Sequence, residues 1–223
     1  MHDPDVRVLL LPADVHADVV RLNGDAESWL TATRPAPYGG ATSDLGAIVR
    51  ATSSALVRHD HPFDDGTWSE YVALRRHGGL EAARSDMSWT RAEHGPRIFA
   101  LRRLVAFVWC VVALQDEATV KWEAVHPPFE LTVALRGTHG AVLGFLAEGW
   151  RDPATDFMTH EFRACVEDHV LLRLELSSVA DPEDIATDVG DRIENAFGTT
   201  HQRYRANRGE FEGRFDPRGN LLS

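Results

Sequence analysis

The chain has 223 residues, and its 43% hydrophobic content is that of a folded globular protein rather than a disordered chain. Its 34 acidic against 23 basic residues give a formal net charge of −11. This charge opposes binding of DNA or RNA through the whole surface, because such binding needs Lys and Arg at the phosphates. Two cysteines without metal-ligand spacing favour a reduced cytoplasmic compartment, and an acidic start with only a short apolar run predicts no secretory signal.

The first third of the chain predicts one strand and two helices. A short apolar run closed by a proline is typical of a strand, and Asp and Ser are favourable residues at helix N-caps. Pro and Gly are concentrated between the two helices and predict a loop. The predicted elements are a strand at 6–11, a helix from Asp14 to Leu30, a loop at 33–43, and a helix after Ser43 that extends to residue 56.

The tetrapeptide VALR occurs twice, at 72–75 and at 133–136. In the first copy Val72 and Leu74 share one face while Tyr71 and Arg75 face the other way, and the following His-Gly-Gly predicts a tight turn and a β-hairpin. Alternation around the second copy, followed by glycines, predicts another hairpin over 129–148. The repeat indicates either a duplicated unit or two strands with matching chemistry.

The second half adds a long helix, a strand and a last helix. The long helix is predicted over 96–124; its run at 104–114 is apolar on nearly all sides, which predicts a central position, and is too short to span a membrane. HVLLRLELSS alternates as a sheet strand does, and acids at 181–184 cap the last helix. On that helix a polar, solvated face is predicted for Asp188, Asp191, Arg192, Glu194 and Asn195.

These elements predict an α+β fold. Its mainly antiparallel sheet would come from two β-hairpins and further strands, packed with a long buried central helix and a C-terminal helix. We expect one compact domain in which an N-terminal part, 1–66, packs on a core of 67–204, followed by an irregular tail, 205–223.

The two predicted turns carry the first candidate site. If the hairpins lie side by side, their turns would present guanidinium and imidazole groups to a phosphate or carboxylate, although solvated loop tips explain the same residues. A Trp at the end of the second hairpin would edge this pocket or belong to the core. The candidate ligand-binding residues are Arg75, Arg76, His77, Arg136, His139 and Trp150.

A second candidate site is the segment HDHPFDD. His59 and His61, with Asp60, Asp64 and Asp65 nearby, offer the imidazole and carboxylate groups that bind a divalent metal. The alternative is a polar acidic loop without a ligand. Phosphate-binding, nucleophile-elbow and zinc-protease motifs do not occur in the sequence.

From about Trp68 onward the chain resembles a module of actinobacterial proteins that carry an Alba-like, Schlafen-type DNA-binding domain. The resembling stretches are WSEYVALRRHGGLE, FELTVALRGTHGAVLGFLAEGW and DIATDVGDRIENAFGTTHQRY. In those relatives the module follows the DNA-binding domain, so the resemblance implies an accessory or sensing role without catalysis. Residues 1–67 do not resemble the Alba-like domain, and the resemblance assigns no functional residue.

Together these observations predict a non-catalytic accessory or sensing module that binds a protein partner or a small anionic ligand and needs no cofactor. We expect no strong nucleic-acid binding by this chain alone and no membrane association, and a homodimer is left open. One alternative is a metal-dependent hydrolase or nuclease that uses His59 and His61. The other is a DNA-associated regulator.

Overall fold

The computed structural model describes residues 5–33, 48–59, 70–85, 87–90, 95–144 and 163–199. Within these ranges the chain forms ten strands and three helices, which confirms the α+β class. In chain order they are β1 (Val6–Pro12), α1 (Gly24–Ala32), β2 (Ile48–Ala51), β3 (Ala55–His59), β4 (Glu70–Arg75), β5 (Leu80–Arg84), β6 (Ser88–Thr90), β7 (Arg97–Ala100), α2 (Leu101–Lys121), β8 (Phe129–Arg136), β9 (Val142–Gly144), β10 (His169–Leu176) and α3 (Pro182–Ala196).

Seven strands form an antiparallel sheet in the order β10-β8-β1-β5-β4-β3-β2, and β6, β7 and β9 form a smaller sheet. The predicted strand at 6–11 is therefore central, since β1 pairs with both β5 and β8. Successive side chains of a strand point to opposite faces. Val6, Val8 and Leu10 are fully buried in one core with the α2 side chains, and we call their side of the sheet the helix face.

The opposite side is termed the outer face. Its side chains alternate with those of the helix face and are half-buried or exposed over β1, β8 and β10. It carries Arg7, Leu9, Leu11, Val57, His59, Tyr71, Ala73, Arg75, Glu81, Ala83, Glu130, Thr132, Ala134, Leu171, Arg173 and Glu175.

The two VALR segments lie level with each other in this sheet. Val72 pairs with Ala82, Ala82 with Val8, and Val8 with Val133. Both copies direct Val and Leu to the helix face, so they share strand chemistry. They do not share a hairpin: β4 and β5 form the predicted one, whereas β8 is paired on both edges, by β1 and β10.

The hairpin predicted over 129–148 is therefore wrong. The return segment contains β9, which pairs in parallel with β7 in the smaller sheet. The turn does occur, because Gly137 and Gly140 have φ of +64° and +70°, in the left-handed region. It directs the chain away from β8 because β1 and β10 already occupy both edges of that strand.

The long helix is central, as predicted, and Leu104 to Leu114 is buried throughout. It begins later than residue 96, because Arg97–Ala100 form β7, which pairs with β6 and β9. None of the described helices is long and apolar enough to cross a membrane.

The first predicted helix is much shorter than expected. Asp14 does accept hydrogen bonds from the backbone N–H groups of His16 and Ala17, but this forms a local turn instead of a helix start. The helix begins only at Gly24, where the Asn23 side chain accepts from the N–H groups of Asp25 and Ala26.

The helix predicted after Ser43 is wrong as well. Ile48–Ala51 and Ala55–His59 are β2 and β3, an antiparallel pair at the edge of the main sheet. Thr52 closes the turn between them by donating its Oγ1 hydrogen to the Ala55 carbonyl, at 3.0 Å. Ser43 itself lies outside the described residues.

The last strand and helix occur where the sequence predicts them, although the side chain of Asp181 makes no cap hydrogen bond. β10 alternates as expected, and α3 buries Val189 and Ile193. Asp188 and Arg192 lie on the predicted polar face and form an ion pair at 2.9 Å. Glu194 is an exception to the predicted solvated face, because it is fully buried, at 0% exposure. The predicted tail, 205–223, lies outside the described residues.

Candidate functional site

Four polar side chains meet on the outer face, where β1, β5 and β4 run side by side. Glu81 accepts hydrogen bonds from Tyr71 Oη, at 2.5 Å, and from Arg75 Nη2. Arg7 lies on the other side of Glu81, with 3.7 Å between its Nε and Glu81 Oε1. We call these four residues the outer-face cluster. Its two guanidinium groups surround one carboxylate, so the cluster carries an excess of one positive charge.

Strand alternation and small neighbours create this cluster. Tyr71 and Arg75 point away from the helix face because Val72 and Leu74 point towards it. Ala73 lies between them on β4, and Ala83 lies opposite Tyr71 on β5; both are buried. Small side chains at these positions leave room for the long polar ones to reach Glu81 across the strands.

The cluster fixes the charges of its members. Burial alone would raise the pKa of the Glu81 carboxyl, but hydrogen bonds from Tyr71 and Arg75 and the charges of Arg75 and Arg7 outweigh it and hold that pKa below its usual range. Burial and the bond to Glu81 raise the pKa of the Tyr71 phenol above its usual range. Glu81 is therefore an anion and Tyr71 a neutral donor at neutral pH.

Apolar side chains continue the outer face beside the cluster. Leu9 lies directly opposite Glu81 on one side and Thr132 on the other, and both Leu9 and Leu11 are only half-buried. At the end of β1 a cleft of about 450 Å³ opens. Its walls include Leu11, Val15, Pro128, Glu130, Arg173 and Glu175.

The charges of this cleft do not suit a small anion. Glu130 and Glu175 lie directly opposite each other on β8 and β10, and Arg173 is the cation beside them. Val15 adds an apolar wall that is 39% exposed. The cleft therefore offers apolar surface and acidic groups next to the more basic outer-face cluster.

The structure does not bring the two turns of the predicted ligand site together. Leu74, at the end of β4, is level with Leu131 near the start of β8, through the pairs with Leu80 and Leu10. Arg75 therefore lies at one end of the sheet, whereas Arg136 ends β8 at the other. Trp150 lies outside the described residues.

Arg76 and His77 hold the first turn in place. Arg76 donates from Nε to the Ser53 carbonyl, at 3.0 Å, and pairs with Asp18, at 3.5 Å. His77 Nδ1 accepts from the Gly79 N–H, at 3.1 Å. Burial and the nearby charge of Arg75 lower the pKa of His77, so its ring is a neutral acceptor inside the turn.

The second turn is more exposed. The backbone N–H of Arg136 donates to the Asp5 carbonyl, at 3.0 Å. The ring of His139 is 70% exposed and lies near Asp168, with 3.8 Å between Nδ1 and Oδ1. Both side chains are exposed. Arg136 lies two residues beyond Ala134, the residue opposite Arg7, so it is a diagonal neighbour of Arg7 at the edge of the outer-face cluster.

His59 is fully buried in β3, directly opposite Tyr71. Its predicted partners in a metal site, His61 and the neighbouring aspartates, lie outside the described residues. Within the described ranges no group of three His, Cys, Asp or Glu residues is placed to hold a metal ion. The metal site therefore stays a prediction.

No protein-family model, no curated protein and no solved structure matches the chain. The resemblance to the module of Alba-like proteins stays a prediction as well.

The structure adds Arg7 and Glu81 to the residues that sequence reasoning selected. Alternation alone indicated that Tyr71 and Arg75 share a face. The partners on β1 and β5 could be found only from the strand order, since Arg7 is 74 positions away from Glu81 along the chain (81 − 7). An Arg inside the apolar run VRVLLL was the available signal, because it marks a strand with one polar face.

Proposed function

We propose that this protein is a non-catalytic accessory module of a bacterial system, and that its outer face binds a protein partner. The observation that carries the proposal is the exposure of charged groups next to apolar ones. The side chains of Arg7 and Arg75 are 43% and 35% exposed although both approach Glu81. Half-buried Leu9 and Leu11 lie beside them and lead into the cleft.

A protein segment suits this surface better than a small anion does. Protein interfaces combine apolar area with Arg and Tyr and are surrounded by polar groups. A site for a small anion would concentrate cations in a concavity, whereas here Glu81 offsets one guanidinium and the cleft carries two carboxylates. A small anionic ligand is the alternative occupant of the same face.

Arg7 is the residue on which a partner's acidic group would bind. Its Nε is buried, lies 3.7 Å from Glu81 Oε1 and has no hydrogen-bond partner among the described residues, whereas 43% of the side-chain surface is exposed and can be contacted by a partner. Arg75, in contrast, is hydrogen-bonded to Glu81. A partner would therefore gain a charge-assisted hydrogen bond at Arg7 without breaking the cluster.

Panning a random peptide library against the full chain tests this proposal. We expect enriched peptides that combine acidic and apolar residues and that lose at least about tenfold in affinity for Arg7→Ala, the effect of one charge-assisted bond. The matched control is Arg21→Ala, an exposed arginine outside the sheet, which should bind the peptides as the wild type does. Failure to enrich any peptide, or equal binding by Arg7→Ala, would contradict the proposal.

Two further measurements separate the alternatives. Thermal stabilisation by inorganic phosphate, citrate or a nucleotide that Arg7→Ala abolishes would favour a small anionic ligand. Near-stoichiometric metal in the purified protein, lost in His61→Ala, would favour the metal-dependent enzyme. If elemental analysis finds no metal, and zinc, manganese and magnesium do not shift the melting temperature, the metal-dependent enzyme is excluded.

A further inference from the structure

Strand β10 ends the seven-strand order, and its side chains are unusually uncovered. Leu171 is 54% exposed on the outer face. Leu172 and Leu174 point to the helix face, as Val170 does, yet they are only half-buried while Val170 is 2% exposed. An eight-residue edge strand with half-exposed leucines can add a further strand, because its outer backbone groups and apolar side chains both gain a partner.

The charges beside this edge are unbalanced. Glu175 of β10 lies directly opposite Glu130 of β8, and Arg173 lies opposite the neutral Thr132. Like charges in directly opposite positions destabilise a strand pair. Two carboxylates therefore share one neighbouring guanidinium group, and a cation at the edge of β10 where no described strand pairs would attract Glu175.

We propose that this edge binds a second copy of the same chain, with the two β10 strands antiparallel and centred on Leu174. In this register Leu174 lies opposite its own counterpart, and Leu172 lies opposite Leu176 of the second copy. On the outer face Arg173 lies opposite Glu175 of the second copy, and Glu175 opposite its Arg173. The pairing is self-complementary, as a twofold dimer requires.

The proposed register explains both features of the edge. The half-exposed leucines of the two copies cover each other on the helix face. Each Arg173, which faces the neutral Thr132 within its own sheet, gains Glu175 of the second copy directly opposite it, and each Glu175 gains a cation opposite a carboxylate that otherwise faces Glu130. A shift by two residues would place Arg173 opposite Arg173 or Glu175 opposite Glu175, and is disfavoured by like-charge repulsion. A shift by one residue would bring apolar side chains to the polar face.

Charge reversal tests this dimer on side chains that are exposed in one copy. Arg173→Glu places glutamate opposite glutamate at both symmetric positions, and Glu175→Arg places arginine opposite arginine. Each variant alone should dimerise at least about tenfold more weakly than the wild type. An equimolar mixture of the two variants restores opposite charges at both positions and should form a heterodimer with affinity close to that of the wild type.

Sedimentation velocity of the full chain over a concentration series gives the dissociation constants, and circular dichroism verifies that each variant is folded. The matched controls are Arg21→Glu and Glu117→Arg, which make the same charge changes at exposed positions away from β10 and should leave the dimer unchanged. Three outcomes would overturn the proposal: a wild-type monomer at every concentration, a dimer that neither reversal weakens, or a mixture that remains as monomeric as its components.

Discussion

Replacing Glu81 by Gln isolates the energy of the outer-face cluster. The substitution keeps the shape of the side chain, which is 12% exposed, but removes its charge and one of its acceptor atoms. Tyr71 and Arg75 donate to different oxygens of Glu81, Oε1 and Oε2, so in the glutamine one of these two donors faces the NH₂ group. A lost charge-assisted hydrogen bond at a mostly buried position costs about 2 kcal/mol of the free energy of unfolding.

Urea denaturation followed by tryptophan fluorescence measures this change, and an unaltered m-value would show that the folded state is otherwise intact. Glu117→Gln, on the exposed side of α2, is the control and should change stability by less than about 0.5 kcal/mol. In a double-mutant cycle, Tyr71→Phe and Glu81→Gln should couple by about 1 kcal/mol, because both remove the same hydrogen bond.

The pH dependence provides a second test. The pKa of Glu81 is lower in the folded than in the unfolded chain, so the unfolded state binds more protons in acid. The stability that this carboxylate contributes is fully present above its unfolded pKa and is lost as the pH falls through the folded pKa. The deficit of Glu81→Gln should therefore shrink below about pH 4. A deficit no larger than that of the control, or one that stays constant into acid, would show that the charge of Glu81 does not stabilise the fold.

Three other predictions concern the core, a helix cap and nucleic acid. Val133→Asp should lower the free energy of unfolding by about 3–5 kcal/mol or prevent folding, because the side chain is fully buried on the helix face. The control, Ala134→Asp on the outer face, should lower it by less than about 1 kcal/mol. Equal melting temperatures of the two variants would show that the two faces are exchanged. Asn23→Ala should lower the free energy of unfolding by about 1 kcal/mol through the lost cap of α1, measured by the same denaturation. The chain should bind duplex DNA only weakly, with an affinity that falls steeply with salt and disappears on deletion of residues 203–223; salt-resistant, sub-micromolar binding in a mobility-shift assay would contradict this.

Local patterns predicted the elements that local interactions determine. The hairpin of β4 and β5 follows from its His-Gly-Gly turn, where Gly78 has a φ of +79° and lies so close to Val125 that a Cβ would clash at 2.3 Å. The alternation of β10 and the apolar stripe of α3 are equally local. Each could be predicted because the signal lies within about fifteen residues of the chain.

The errors lie where distant partners decide the structure. The segment from Ile48 to Leu56 suits either a helix or two short strands by composition, and its position beside β4 selects the strands. β9 was assigned to the wrong partner because β7, its parallel neighbour, precedes it by more than forty residues. The outer-face cluster could not be predicted for the same reason. Tyr71 and Arg75 could be placed on one face from the sequence, but Glu81 and Arg7 join them only through the order of the strands.

The central position of β1 has a consequence for biosynthesis. Val6 pairs with both Arg84 and Leu135, so this apolar strand leaves the ribosome long before its second neighbour exists. At roughly 10 residues per second, about 130 residues of further synthesis take on the order of ten seconds. During that time the main sheet stays incomplete and VRVLLL is open to chaperones or to other nascent chains. Ribosome-bound chains that end before residue 129 should accordingly be cleaved by protease within β1, and chains extended past β10 should resist it.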